Sequence, residues 1–245
     1  MNEVLDLLVG RGYSTDEEDP ALVRAMPVVL RIERAEPPTR TAVLEAAAAA
    51  AIAVCLDPRA EPDGEWHDEV VSWVRGRIRK VSRRARGAHW EAVQALPGVT
   101  ISVNGAEARA LVPGLVVEAP KELTRLQISG SELPEDEPGP VPEDVPVLWL
   151  NPKVPMTAGK AAAQVGHGTM LLAPTLSEER LKSWAANDFR TAVRTPSVER
   201  WRALLDAGAV AVRDAGFTEV EPGTTTVVAE WPEERPDVWE ASELG

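Results

Sequence analysis

The feature that most restricts the fold is a break in the middle of the chain. Residues 129–146 (SGSELPEDEPGPVPEDVP) hold five prolines and almost no apolar side chain, the composition of a linker. A boundary therefore falls near residue 140, and the elements on either side read in the same order. After it come a strand at Val147–Leu150, a Pro-containing loop, a small-residue helix at 158–173 and a second helix at 177–186. A strand at 189–193 follows, and then a helix opened by Thr195-Pro196 with Val198, Trp201, Leu204 and Leu205 as its apolar stripe. A strand at 209–213 leads through the Pro222-Gly223 turn to a last strand at 224–229. Before the break the same order runs through 28–32 (strand), 39–56 and 66–75 (helices), 78–82 (strand), 87–96 (helix) and 99–103 (strand), with Pro113-Gly114 ending the next strand. Strands alternating with helices predict an α/β fold, a three-layer α/β/α sandwich, duplicated in two tandem halves spanning 21–128 and 145–232.

No stretch approaches the roughly 20 apolar residues of a membrane span. The N-terminus lacks a positive n-region and an apolar h-region. The lone cysteine, Cys55, has no internal disulfide partner. These features lead to the expectation of a cytoplasmic protein without membrane contact. The net charge of −13 argues against simple nucleic-acid binding, where a basic footprint is expected. Yet residues 75–86 (RGRIRKVSRRAR) place seven basic residues in twelve without an acid. The acids collect at 16–19, 132–137 and 230–243, so a locally positive groove is compatible with a negative total.

The most informative stretch is VLWLNPKVPMTAGKAAAQVGHGTM. Lys160, Gln164 and His167 fall at i, i+4 and i+7 and project from one helix face. Small residues at 161–163, 166 and 168 let backbones pack closely beside that row. A solvated surface helix would not carry two glycines within three residues, each costing roughly 1 kcal/mol relative to Ala. A phosphate loop is excluded, because Val154 and Ala161 stand where glycine and Ser/Thr are required. Three scattered histidines and one cysteine give no zinc spacing, and no metal is expected. The second chemistry-bearing stretch is RDAGFTEVEPGTTTVVAEWP, in which Asp214 ends a strand before an Ala-Gly turn and threonines crowd the next edge. An Asp at such a turn is by itself more often a turn-capping residue than a catalyst.

Together, the Gly-Lys-Ala-Ala-Ala-Gln-x-x-His helix and the later Asp-Ala-Gly-x-Thr…Pro-Gly-Thr-x-Thr-Val pattern resemble the type-2 peptidyl-tRNA hydrolases over about 85 residues. The resemblance implies a mixed four-stranded sheet flanked by helices and cleavage of the ester between peptide and tRNA with no metal or organic cofactor. It also implies Lys160, His167 and Asp214 as catalytic residues, with Gln164, Thr218 and Thr226 lining the substrate site. Two positions depart from the family pattern. Glu219 replaces the usual Gln and Thr225 the usual basic residue, and both make the site more acidic beside a polyanionic substrate. Ester hydrolysis needs an activated water and a donor where oxyanion charge develops. Asp214, alone or through His167, is suited to the first task, and Lys160 with the threonines to the second.

Laying Val28 on Val147 places Thr41, Glu45 and Ala48 opposite Lys160, Gln164 and His167; counting back from Pro113-Gly114 places Gly105 and Arg109 opposite Asp214 and Thr218. The first half therefore reads as a degenerate copy without the reaction's residues. Its basic run, Arg75, Arg77, Arg79, Lys80, Arg83, Arg84 and Arg86, is the expected contact to the tRNA backbone. The two halves are expected to pack as an internal imitation of a homodimer, or the chain to form a homodimer itself. Two rival readings keep the fold: a non-catalytic adaptor, and an esterase or amidase acting on a non-tRNA substrate. No G-x-S-x-G nucleophile supports a serine mechanism.

Overall fold

A computed structural model describes residues 3–10, 18–128, 130–216 and 219–232. The first half comprises α1 (Glu3–Leu8), β1 (Arg24–Arg31), α2 (Arg40–Cys55), α3 (His67–Arg75) and β2 (Lys80–Ala85). It continues with α4 (Ala88–Gln94), β3 (Gly98–Val103), β4 (Ala106–Leu111), β5 (Gly114–Leu115) and α5 (Lys121–Thr124). The second half comprises β6 (Val147–Leu150), α6 (Ala158–Leu172), α7 (Glu178–Ala186), β7 (Ala192–Arg194), α8 (Val198–Asp206), β8 (Val210–Arg213) and β9 (Thr225–Glu230).

The fold is α/β, with the duplicated arrangement that the order of elements predicts. The strand orders are β2-β1-β4-β3 and β7-β6-β9-β8, with the short β5 added beside β1. In each sheet the first pair is parallel and the other two are antiparallel. Local geometry repeats as well. Trp73 Nε1 donates to the Arg79 carbonyl and Trp184 Nε1 to the Arg190 carbonyl, six residues on in each case. Just before each acceptor, a non-glycine residue takes a positive φ, Ile78 at 47° and Phe189 at 55°. These left-handed residues delay β2 and β7 to residues 80 and 192, two or three positions later than the apolar pattern predicts.

Side chains alternate across both sheets with the period of two that strands impose. Leu148, Val227 and Ala229 belong to the main core with α6, whereas Val228 packs with Trp201 and Leu204 of α8. In the first sheet Val28, Leu30 and Ala108 belong to the core with α2, and Val29 and Leu111 join Trp90, Val93 and Leu123 on the opposite face. Ser197 caps α8, its hydroxyl accepting from Arg200 N at 3.1 Å. The helix thus opens two residues later than Thr195-Pro196 suggests, since a serine side chain satisfies the first-turn N–H and a proline ring cannot.

The inner helices decide how the halves meet. Ala46 to Ala51 of α2 are all buried, as a helix apolar on every side requires. α2 packs against β3 and β4 on its own side and against α6 on the other. α6 also touches β2, and α2 touches β7, so each inner helix leans on the other half's outer parallel strand. One hydrophobic core therefore spans both halves. Thr169 Oγ1 donates to the Ala48 carbonyl at 3.0 Å across this seam. The Glu45 carboxylate accepts from Val193 N at 3.1 Å and from the Arg194 guanidinium at 2.8 Å. The proline-rich segment is docked over the same seam, with the Ser131 hydroxyl accepting from Gly159 N and Asp136 from Thr41 N.

Glycine at 166 suits this close packing. A Cβ there would lie 3.0 Å from Ala51 Cβ and 3.1 Å from Lys80 Cε. Gly166→Val is expected to destabilise the protein by about 2–3 kcal/mol through overpacking, read as a lower denaturant midpoint with an unchanged m-value.

Candidate active site

α6 begins at a proline-containing loop where the Thr157 hydroxyl caps the helix, accepting from Lys160 N at 3.2 Å. Thr157 is itself held by Glu219, whose carboxylate accepts from the Thr157 hydroxyl at 2.8 Å and from its N–H at 3.1 Å. Glu219, one of the two departures from the family pattern, thus ties the loop after β8 to the helix start, where negative charge is favoured.

Asp214 follows β8 directly. Its Oδ1 accepts from Gly216 N at 2.8 Å, forming a turn that needs Gly216: φ there is +79°, and a Cβ would lie 2.3 Å from Pro222 Cγ. Its Oδ2 accepts from Gln164 Nε2 at 2.8 Å and forms an ion pair with Lys160 Nζ. Thr226, fully buried on β9, donates its hydroxyl to Gln164 Oε1. Lys160, Gln164, Asp214 and Thr226 thus form one connected network. It spans a helix, a turn and a strand, with the Asp214 side chain 6% exposed and that of Lys160 11%. A buried ion pair of this kind needs its remaining polar atoms satisfied, and Gln164 and Gly216 do so for the carboxylate. Thr218 lies outside the described residues.

His167, one turn further along α6, is joined to a different group. Its Nδ1 lies 3.1 Å from Nζ of Lys80, a residue of the first half. Burial, together with the positive charges of Lys80 and Lys160, holds the imidazole well below its ordinary pKa, so it is neutral at pH 7. These groups line a cavity of about 750 Å³ between the halves. Lys160, Gln164, His167 and Asp214 form one wall, and Ile78 to Ser82 of the first half form the other. The Ser82 hydroxyl is buried on that wall without a hydrogen-bond partner.

The basic run divides by position. Arg77 and Arg79 stand at the cavity and pair with Glu18 at 3.7 Å and 2.9 Å. Arg75 is exposed and pairs with Glu3 at 3.1 Å. Arg83 donates to the Leu126 carbonyl at 2.9 Å, Arg84 to Gln127, and Arg86 is half-buried beside them. Lys80 is buried, 8% exposed, a placement that does not suit a phosphate contact. Its membership of the run concealed it, since a lysine among six arginines reads as surface charge.

In the first half the place of the Asp214 loop is taken by a two-residue turn, Asn104-Gly105, with φ of 48° and 82°. Arg109 lies within β4, and its guanidinium bonds Thr100 at 2.8 Å and the Leu96 carbonyl at 2.6 Å. The alignment that set Gly105 and Arg109 against Asp214 and Thr218 is therefore corrected. Asn104 follows β3 as Asp214 follows β8, with two residues joining β3 to β4 where a longer loop joins β8 to β9.

Among the described residues, no group of three or more His, Cys, Asp or Glu side chains is placed to hold a metal ion, and no helix is long and apolar enough to cross a membrane. A paired α/β unit with a lysine–aspartate site at the seam is the class of protein that fold and site define. The family profile described as "Peptidyl-tRNA hydrolase PTH2" matches residues 145–243. A peptidyl-tRNA hydrolase of Thermococcus onnurineus (strain NA1) is 31% identical over 96 residues, covering 35% of this chain and 81% of the relative. Through its C-terminal half, this chain belongs to the type-2 peptidyl-tRNA hydrolase family. No solved structure matches it significantly.

Proposed function

We propose that the protein hydrolyses the ester joining a peptide to tRNA, using an activated water and no metal ion. The observation that carries this reading is the buried Lys160–Asp214–Gln164–Thr226 network on a cavity wall, in the half that matches the family. The Lys160 ammonium, oriented by Asp214 at the first turn of α6, is the group to stabilise the developing oxyanion or the leaving ribose oxygen. Asp214, with neutral His167 on the same wall, orients the attacking water. Thr226 fixes Gln164 and thereby Asp214, and Thr218 is assigned to the substrate site by its place in the motif. Preorganised donors of this type are each worth about 10²–10³ in kcat. Release of peptide from a model peptidyl-tRNA, with aminoacyl-tRNA as control, is the direct test. An inactive wild-type protein would leave the adaptor reading in its place.

The basic run is assigned to the tRNA backbone, with Arg77 and Arg79 nearest the cavity and Arg75, Arg83, Arg84 and Arg86 further out. Glu18 competes with phosphate for the first two. Replacing Arg77 and Arg79 together by alanine should weaken tRNA binding and reduce the steepness of log K against log salt by about 1.5. An unchanged slope, measured between low and physiological salt, would show that these arginines serve contacts within the chain, Glu18 among them.

A further inference from the structure

The first half has a two-residue turn where the second carries the aspartate loop, yet one of its side chains reaches the proposed reaction site. Lys80 leaves the first residue of β2 and ends 3.1 Å from His167 Nδ1. It passes close over Gly166: Lys80 Cε and Cδ lie 3.1 and 3.2 Å from where a Cβ would stand, so a bulky side chain there would crowd the passage. The Trp73 ring lies 5.2 Å from Nζ on the other side, a cation–π distance. His167 on α6 is bonded to Nζ and Cys55 on α2 acts on it electrostatically, while Lys160, Asp214, Glu219, Arg77, Arg79, Arg213 and the Ser82 hydroxyl line the same cavity. Among the described residues, no carboxylate lies within ion-pair distance of it. A buried lysine whose hydrogen-bond partner is an active-site imidazole has no structural role that a Leu or Met would not perform more favourably.

We propose that Lys80 is a positioning residue of the hydrolytic site, donated by the half that lacks the Lys160–Asp214 pair: its Nζ–H fixes Nδ1 of His167 as an acceptor and leaves the ring proton on Nε2. The proposal rests on the hydrolase reading above and names the part the first half plays in it. An ammonium has only protons to donate, so the nitrogen it meets must be unprotonated, and the neutral imidazole then carries its one N–H on the other side. Burial pushes Lys80 down to about 7. The cationic form, and with it the imposed tautomer, is therefore present below about pH 7 and is lost above it. Cys55, pushed up to about 12 by burial, stays a thiol throughout and supplies no compensating charge.

The test pairs kinetics with 15N spectroscopy of the histidine ring on the intact chain. In wild-type protein at pH 6, His167 should show a protonated Nε2 and an unprotonated, hydrogen-bonded Nδ1, with Nδ1 shifting as the pH passes about 7 while the ring stays neutral. Lys80→Met should lower kcat about tenfold with KM little changed, remove the kinetic pH step near neutrality and shift the Nδ1 resonance. A protonated Nδ1 in wild type at pH 6 overturns the proposal, whether or not the variant folds. So does Lys80→Met with wild-type kcat and pH profile, or with a raised KM alone. If wild-type protein does not release peptide from peptidyl-tRNA, the hydrolase reading fails, and the ring spectrum still decides whether Lys80 positions His167.

Discussion

Lys160→Ala and Asp214→Asn are each expected to reduce turnover of peptidyl-tRNA by at least about 100-fold. Both changes also act on stability. Asp214→Asn is nearly isosteric and keeps the acceptor for Gly216 N, but it puts an amide N–H where Oδ2 accepted from Gln164 Nε2 and paired with Lys160; its loss in activity should still be in kcat with KM little altered. Lys160→Ala leaves the Asp214 carboxylate, 6% exposed, without its cation. Breaking a buried pair in this way costs about 3–5 kcal/mol, lessened here because Gln164 and Gly216 still donate to the same carboxylate. Both variants should therefore show a lower melting temperature as well as a lower kcat, since Asp214→Asn in turn leaves the Lys160 ammonium, 11% exposed, without its anion. Full turnover by either variant, with wild-type secondary structure, would remove the pair from the mechanism.

The second large effect concerns the halves themselves. A fragment starting at residue 141 contains the whole family match, but it would expose the α6 face that packs on α2. It would also lose the acceptor of Thr169 and the Glu45 partner of Arg194. We expect it to self-associate, a second α6 taking the place of α2, or to melt at least about 10 °C below the intact chain, as a deficit of a few kcal/mol in a small domain implies. Its specific activity should fall in either case, since Lys80 and the Ile78–Ser82 wall are absent. Sedimentation and thermal unfolding decide the matter. A monomeric fragment as stable and active as the full chain would mean that the seam between the halves is incidental.

The family-matching half is readable because its signals are local. The i, i+4, i+7 spacing of Lys160, Gln164 and His167 fixes one helix face by geometry alone. The Asp-Ala-Gly turn is likewise written in consecutive residues, with Gly216 required by its backbone angle. Element order gave the duplication, and the paired tryptophans Trp73 and Trp184, with the same bond to the carbonyl six residues on, show how closely the copies correspond. The edges of β2 and β7 were misplaced because Ile78 and Phe189 take positive φ, which apolar pattern does not report. The degenerate loop was misaligned for a similar reason: counting residues assumes equal loop length, and Asn104-Gly105 turns in two.

By itself, the sequence determined the α/β class, the tandem repeat, the half that belongs to the family and the side chains that share one face of α6. These follow from periodicity and from spacing within single elements. The tertiary structure alone decided that the halves share one core, that the proline-rich segment docks across their seam, and that Lys80 reaches His167. The physical reason lies in residue types that are ambiguous in one dimension. An alanine run reads the same whether it packs on one sheet or on a sheet and a second helix. A lysine in a basic run reads as surface charge until its neighbours are known. Only the approach of α2 to α6, permitted by Gly166, takes that lysine out of water and sets it against an imidazole eighty-seven residues away.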